Sequence, residues 1–241
     1  MSPLLRTLAD IGPRRLQRRL RYELRQRLDR RLPPPLAAAL AGAGAQADPP
    51  GWRSALPSLA VALLPAPPGP IPPQGCSFTF LNERRRLPWP IPWNDPGWAR
   101  LWQFHLHYFD WGRDWLDQAL ATGRWPAEAQ ALEPLIDHWI AANAPGRGDG
   151  WHSYTLSLRI RNWIWLCRCC PALATPERLG SLWRQLRWLE AHPEHCHGGN
   201  HWLENLTALA IGGLQFEGAA ARRMQDRALR LLRRELAVQL L

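Results

Sequence analysis

Apolar residues recur at helical spacing along most of this chain. Residues 14–32, RRLQRRLRYELRQRLDRRL, set Leu16, Leu20, Leu24, Leu28 and Leu32 four apart with arginines between them. That pattern predicts an amphipathic, strongly basic helix, which Pro33 to Pro35 end. Residues 33–75 are rich in Pro, Ala and Gly, and PAPPGPIPPQG at 65–75 excludes helix, because proline lacks an amide hydrogen and clashes with the preceding turn. This stretch reads as a partly extended linker. CSFTFLN at 76–82 reads as a strand or an ordered lead-in, and LPWPIPWNDP after it as extended chain.

From Trp98 onward the period is helical, with Trp98, Leu101, Trp102, Leu106 and Phe109 on one stripe and a second segment expected after Gly112. Pro126 opens another helix through AEAQALEPLIDHWIAAN. PGRGDG at 145–150 is a turn. Residues 153–170 predict a helix, and Thr175 with Pro176 makes an N-cap and first position for the next. HPEHCHGGN reads as a loop, followed by helices over NHWLENLTALAIGGLQF and AAARRMQDRALRLLRRELAVQLL. No run of alternating strands intervenes. The expectation is an all-α fold of stacked helical hairpins, in three units: a basic helix at 1–32, a linker at 33–75 and a helical domain at 76–241. The final helix reaches Leu241 without a glycine, a proline or a polar tail, so the chain is expected to stop inside a larger domain.

Composition changes this picture in three ways. There are 15 Trp against 3 Tyr and 5 Phe, so some are expected to line a surface for sugar rings, against the alternative that many simply pack between helices. All 30 basic residues are Arg and the net charge is +10. Guanidinium forks match carboxylates and sulfates, so an acidic polymer suits such a surface. The basic first helix either lies on the main domain or touches a membrane surface or an acidic partner. Five Cys, three of them crowded at Cys167, Cys169 and Cys170, do not make a disulfide framework. The first residues lack the pattern of a secretory signal, and no apolar run is long enough to cross a bilayer. The expected location is cytoplasmic or periplasmic, the former slightly preferred.

Several clusters carry candidate chemistry. Trp151, His152 and Tyr154 precede a predicted helix, where a cleft wall would stand. Arg159, Asn162 and Trp163 follow at i, i+3 and i+4 and point one way: a fork for a carboxylate with a ring for a sugar, or else a core tryptophan with an arginine satisfying helix ends. His105, Tyr108 and Trp111 put polar tips on an apolar helix, which suggests that one edge faces a groove. His192, His195, Cys196 and His197 cluster, but match no familiar zinc spacing, so no metal is expected. The high pI raises nucleic acid as a partner, yet no nucleic-acid module is present. Glycoside hydrolysis wants two carboxylates across a cleft, and Asp110, Glu194 and Glu204 are not forced into such a pair by spacing.

Three blocks in series then stand out: FLNERRRLPWPIPWNDPGWARLWQFHLHYFDW at 80–111, GWHSYTLSLRIRNWIW at 150–165 and GGNHWLENLTALAIGGLQF at 198–216. Together they resemble the N-terminal toroid of the heparinase II/III and alginate-lyase-like polysaccharide lyases, over about residues 76–241. The resemblance implies an incomplete (α/α) toroid and β-elimination on a uronic-acid polysaccharide, with no cofactor. It implies that Asn200, in Gly199-Asn200-His201, faces the substrate carboxylate. Alternatively Asn200 only caps the helix it opens. His201 and Asn205 share a helix face beside it, with His201 as contact or orienter. Where this sequence departs from the family is its end. A Ser-Pro-x-Tyr-His block with the catalytic Tyr, and a C-terminal β-sandwich with a further His, do not follow. The resemblance therefore implies a chain that binds acidic glycan and is inactive alone, or a non-catalytic glycan-binding module, with the β-sandwich domain as its missing partner.

Overall fold

The longest buried stretch of the chain, SYTLSLRIRNWIWLCRC, forms the helix around which the others are arranged. The computed structural model describes residues 13–44, 49–54, 63–67, 75–194 and 199–239. The helices are α1 (Pro13–Arg31), α2 (Pro34–Leu40), α3 (Arg100–Tyr108), α4 (Asp110–Thr122), α5 (Leu132–Ala142), α6 (Ser153–Cys169), α7 (Pro176–Ala191), α8 (Gly199–Gln215) and α9 (Gly218–Gln239). Short 3₁₀ turns at Ala127–Ala131, Asp149–Trp151 and Pro171–Leu173 join them. The protein is mostly helical, with a single two-stranded hairpin among the described residues.

Helix α6 packs against α3, α4, α7 and α8, and is buried on nearly all sides. Alternate helices are neighbours: α4 lies beside α6 and α6 beside α8, while α5 lies beside α7. Helix α9 covers α8 through Ala221, Met224 and Ala228, spaced at helical intervals and buried, and leaves its arginines outside. Two glycines permit the close approach of α8 to its partners. A Cβ on Gly212 would sit 2.2 Å from Leu186, and one on Gly213 2.7 Å from the Ala221 carbonyl. Arg178, nearly buried on α7, donates to Asp137 and Glu133 of α5 at 2.8 and 3.0 Å and ties that layer together. These carboxylates raise its pKa further above the ordinary guanidinium range.

The first units differ from the pattern-based reading. Residues 34–40, expected in the linker, form α2, with two prolines in its first turn, where no amide hydrogen is required. Much of 65–75 and the first twelve residues lie outside the described residues. CSFTF is a strand, β1 (Cys76–Phe80), but it is paired with β2 (Glu83–Leu87), whose ERRRL pattern showed no apolar alternation. Phe78 and Phe80 point inward onto Trp111 and Trp102, with ring centroids 5.1 and 4.9 Å apart. The break expected after Gly112 falls earlier, at Phe109. That residue is wholly buried in the left-handed conformation (φ 61°), and the Trp111 indole donates across the break to the Leu106 carbonyl at 3.1 Å.

The tryptophans are overwhelmingly core. Trp102 and Trp139 are fully buried, and of the fifteen indoles only Trp89 is exposed. Indole thus mainly fills the spaces between helices, and Trp52, Trp98, Trp115, Trp125 and Trp165 pack on the core while half-buried. Cys76, Cys167, Cys169 and Cys170 are buried free thiols, and burial raises their pKa values, that of Cys167 to about 12 and that of Cys169 to about 11.

Candidate functional site around Glu194 and the first turn of α8

Three polar side chains hold the chain between α7 and α8. Ser153 donates to the His192 carbonyl at 2.6 Å, and Ser157, one turn along α6, donates to the Ser153 carbonyl. The Asn205 amide donates to the Ser157 hydroxyl at 3.0 Å, and its oxygen accepts the Glu194 amide hydrogen at 2.8 Å. Asn205 is fully buried, so its role is to fix Glu194, and the expectation that it meets substrate is corrected.

So fixed, the Glu194 carboxylate is only 1% exposed and lies between two imidazoles. His152 Nε2 is 3.6 Å from one oxygen and His201 Nδ1 is 3.4 Å from the other. A buried carboxylate is tolerated only where charge or hydrogen bonds compensate it, and both imidazoles are placed to do so. Burial lowers the pKa of His152, while Glu194 raises it and Arg100 and His201 lower it again. His201 is nearly half exposed and stacks on Tyr154 with centroids 4.2 Å apart. Tyr154 meets Tyr108 edge-on at 6.0 Å, and Tyr108 meets His105 at 5.1 Å. Burial, reinforced by nearby carboxylates, raises both tyrosine pKa values, so both stay phenols at neutral pH. Asn200 is exposed in the first turn of α8, beside His201. It lies inside the helix, which begins at Gly199, and not ahead of it as a cap residue would.

Thus the structure brings together His105, Tyr108, His152, Tyr154 and His201, from three separate stretches, with Asn200 exposed at the position before His201. It separates others from them. Arg159 has no exposed surface; it donates to Gln185 at 2.9 Å, to the His107 carbonyl at 3.1 Å and to the Gly150 carbonyl at 2.7 Å, with its guanidinium 3.7 Å from the Trp139 ring centroid. Burial lowers its pKa, and these acceptors and the indole face compensate its charge. Arg159 is therefore scaffold, and so is Trp163, 2% exposed and edge-on to Phe109 and Trp139. Trp111 is buried against the β-hairpin. Asn162, by contrast, is half-buried and stays beside the cluster, its amide donating to Asp110 at 2.7 Å and to the Tyr108 carbonyl. Trp151 is 7% exposed, donates to the Asn143 carbonyl and reaches solvent only at a neighbouring cavity of about 310 Å³, which His152 also lines. The expected subsite of Arg159, Asn162 and Trp163 dissolves because the side of α6 that carries Arg159 and Trp163 faces protein.

Two groups escaped the reading by spacing. Glu194 was visible only as a carboxylate in a histidine-rich loop; an acid among that many imidazoles was the available signal. Arg100 donates to both Asp149 carboxylate oxygens, through Nη2 at 2.8 Å and Nε at 3.1 Å, and both residues line the cavity. No group of three or more metal-ligating side chains occurs among the described residues, and His195, Cys196 and His197 lie outside them. No described helix is long and apolar enough to cross a membrane.

No known protein family, curated protein or solved structure matches this chain. The functional reading therefore stands on the site's own chemistry.

Proposed function

We propose that this site binds the uronic-acid units of an acidic polysaccharide and belongs to a polysaccharide lyase working by β-elimination. The observation that carries the reading is an exposed amide, Asn200, next to an imidazole, His201, that is backed by the buried Glu194 and stacked on Tyr154. Elimination removes the proton α to a carboxylate and breaks the C4–O bond, so negative charge builds on the carboxyl group. A neutral amide suits that task, because it donates hydrogen bonds without a titration of its own. Glu194 orients His201, and an imidazole so held beside the substrate suits proton transfer. Tyr154, held as a phenol, serves as a donor to substrate oxygens. The alternation in which α4, α6 and α8 are neighbours fits the inner wall of an (α/α) toroid, with α5, α7 and α9 outside.

A second reading, glycan binding without catalysis, is favoured by one observation: both tyrosines near the site are pushed toward the protonated form, so neither supplies a phenolate base. One experiment separates the two. The chain is incubated with polyuronates, and the ultraviolet absorbance of unsaturated uronate ends is followed alongside binding. A lyase raises that absorbance and loses it in Asn200→Ala and His201→Ala. Retention of binding in the parent chain without new absorbance supports the binding reading. Absence of both, or reducing ends without unsaturation, overturns the proposal.

A further inference from the structure

Helix α1 contacts the body on one side only. Asp29 is buried with its carboxylate 2.7 Å from His192 Nε2, and Arg147 donates to the Asp29 carbonyl at 2.8 Å and to the Leu32 carbonyl. At 3.6 residues per turn, Asp29 projects roughly 140° from Leu24. Around Leu24 lies a row that no described residue covers: Leu20, Leu24 and Leu28 are 52, 62 and 51% exposed. Arg21, Arg27 and Arg31, all exposed, flank that row, and Arg19 stands further round. Leu36 and Leu40 on α2 are exposed as well.

A long exposed leucine row bordered by guanidinium groups is costly in water and has no use against a hydrophilic polyanion. At the face of a bilayer both halves are satisfied: leucines enter the acyl boundary while arginines meet anionic headgroups. We propose that α1 is an in-plane anchor that holds this protein on an anionic lipid surface, through Leu20, Leu24 and Leu28 together with their flanking arginines. The Asp29–His192 and Arg147 contacts then join the anchor to the helical body and hold it at the membrane face.

The test is flotation of the full chain with vesicles of phosphatidylcholine alone or mixed with phosphatidylglycerol. Binding to the mixed vesicles, with little to the neutral ones, is expected. Replacement of Arg21, Arg27 and Arg31 by Gln lowers partitioning roughly a hundredfold, since each cation near such a surface contributes several-fold. Replacement of Leu20, Leu24 and Leu28 by Gln, which preserves helix propensity, lowers it about tenfold or more. Asn200→Ala floats like the parent, which separates this proposal from the glycan reading. Leucine variants that partition like the parent, equal binding to neutral vesicles, or no flotation overturn the anchor. So does polyuronate or acidic-protein binding that requires the leucine row in the absence of lipid.

Discussion

Arg159 and Asn200 look alike as candidates on paper, each polar and each beside an aromatic in a helical block, and the structure gives them opposite duties. Arg159→Met removes a fully buried group and strands the Gln185, His107 and Gly150 acceptors, at a cost of about 3 kcal/mol or more. Asn200→Ala is exposed and shifts stability by less than about 0.5 kcal/mol. Chemical denaturation of the two variants checks this; a neutral Arg159→Met contradicts the scaffold role. Spacing alone could not separate them, because i, i+3 and i+4 place residues on one face without saying whether that face meets protein or water. What decided it for Arg159 was that its side of α6 is covered by other helices, a property of the whole helix set.

At the scale of elements, the helices were legible where apolar spacing was long and a breaker followed, as at α6, α7 and α8. The Thr175 cap forms as the sequence suggested, its hydroxyl accepting the Arg178 amide at 3.4 Å. The β-hairpin was only half legible. β2 pairs with β1 through backbone groups, and three successive arginines advertise no buried face. Its two-residue turn puts Leu81 and Asn82 at φ 54° and 62°, the left-handed pair that the twist of a hairpin favours and that asparagine and glycine accept more readily than leucine. Leu81 is exposed, so Leu81→Asn loses no packing. It should stabilise the protein by about 1 kcal/mol, read as a rise in the thermal midpoint; a fall would show that Leu81 has a contact that matters. The break at Phe109 was illegible for the opposite reason, since only tertiary packing holds a buried phenylalanine in the left-handed region.

For the whole molecule, buried histidines couple stability to pH. His107 accepts the Trp139 indole hydrogen on Nδ1 at 2.9 Å and is fully buried, and burial, then Arg159, push its pKa down to about 3. Burial also lowers the pKa values of His152 and His192. A folded-state value below the unfolded one means that the unfolded chain takes up more protons. The stabilisation is then complete above the unfolded value of about 6.5 and is lost as pH falls toward about 3. Thermal midpoints should fall steadily as the medium is acidified from neutrality, and a flat profile would contradict burial of neutral imidazoles. The net charge of +10 has a second consequence: any polyanion will be attracted to this surface, so attraction alone cannot identify a uronate site.

The most direct measurement is equilibrium binding of a polyuronate, compared with the same polymer after reduction of its carboxyl groups and with a carboxyl-free sulfated glycan, to the parent chain and to Asn200→Ala. The account predicts that the polyuronate binds the parent chain, that carboxyl reduction weakens binding about tenfold or more, that Asn200→Ala loses a similar factor for the polyuronate, and that the sulfated glycan binds both proteins equally. Equal affinity of the parent chain and Asn200→Ala for the polyuronate would contradict it.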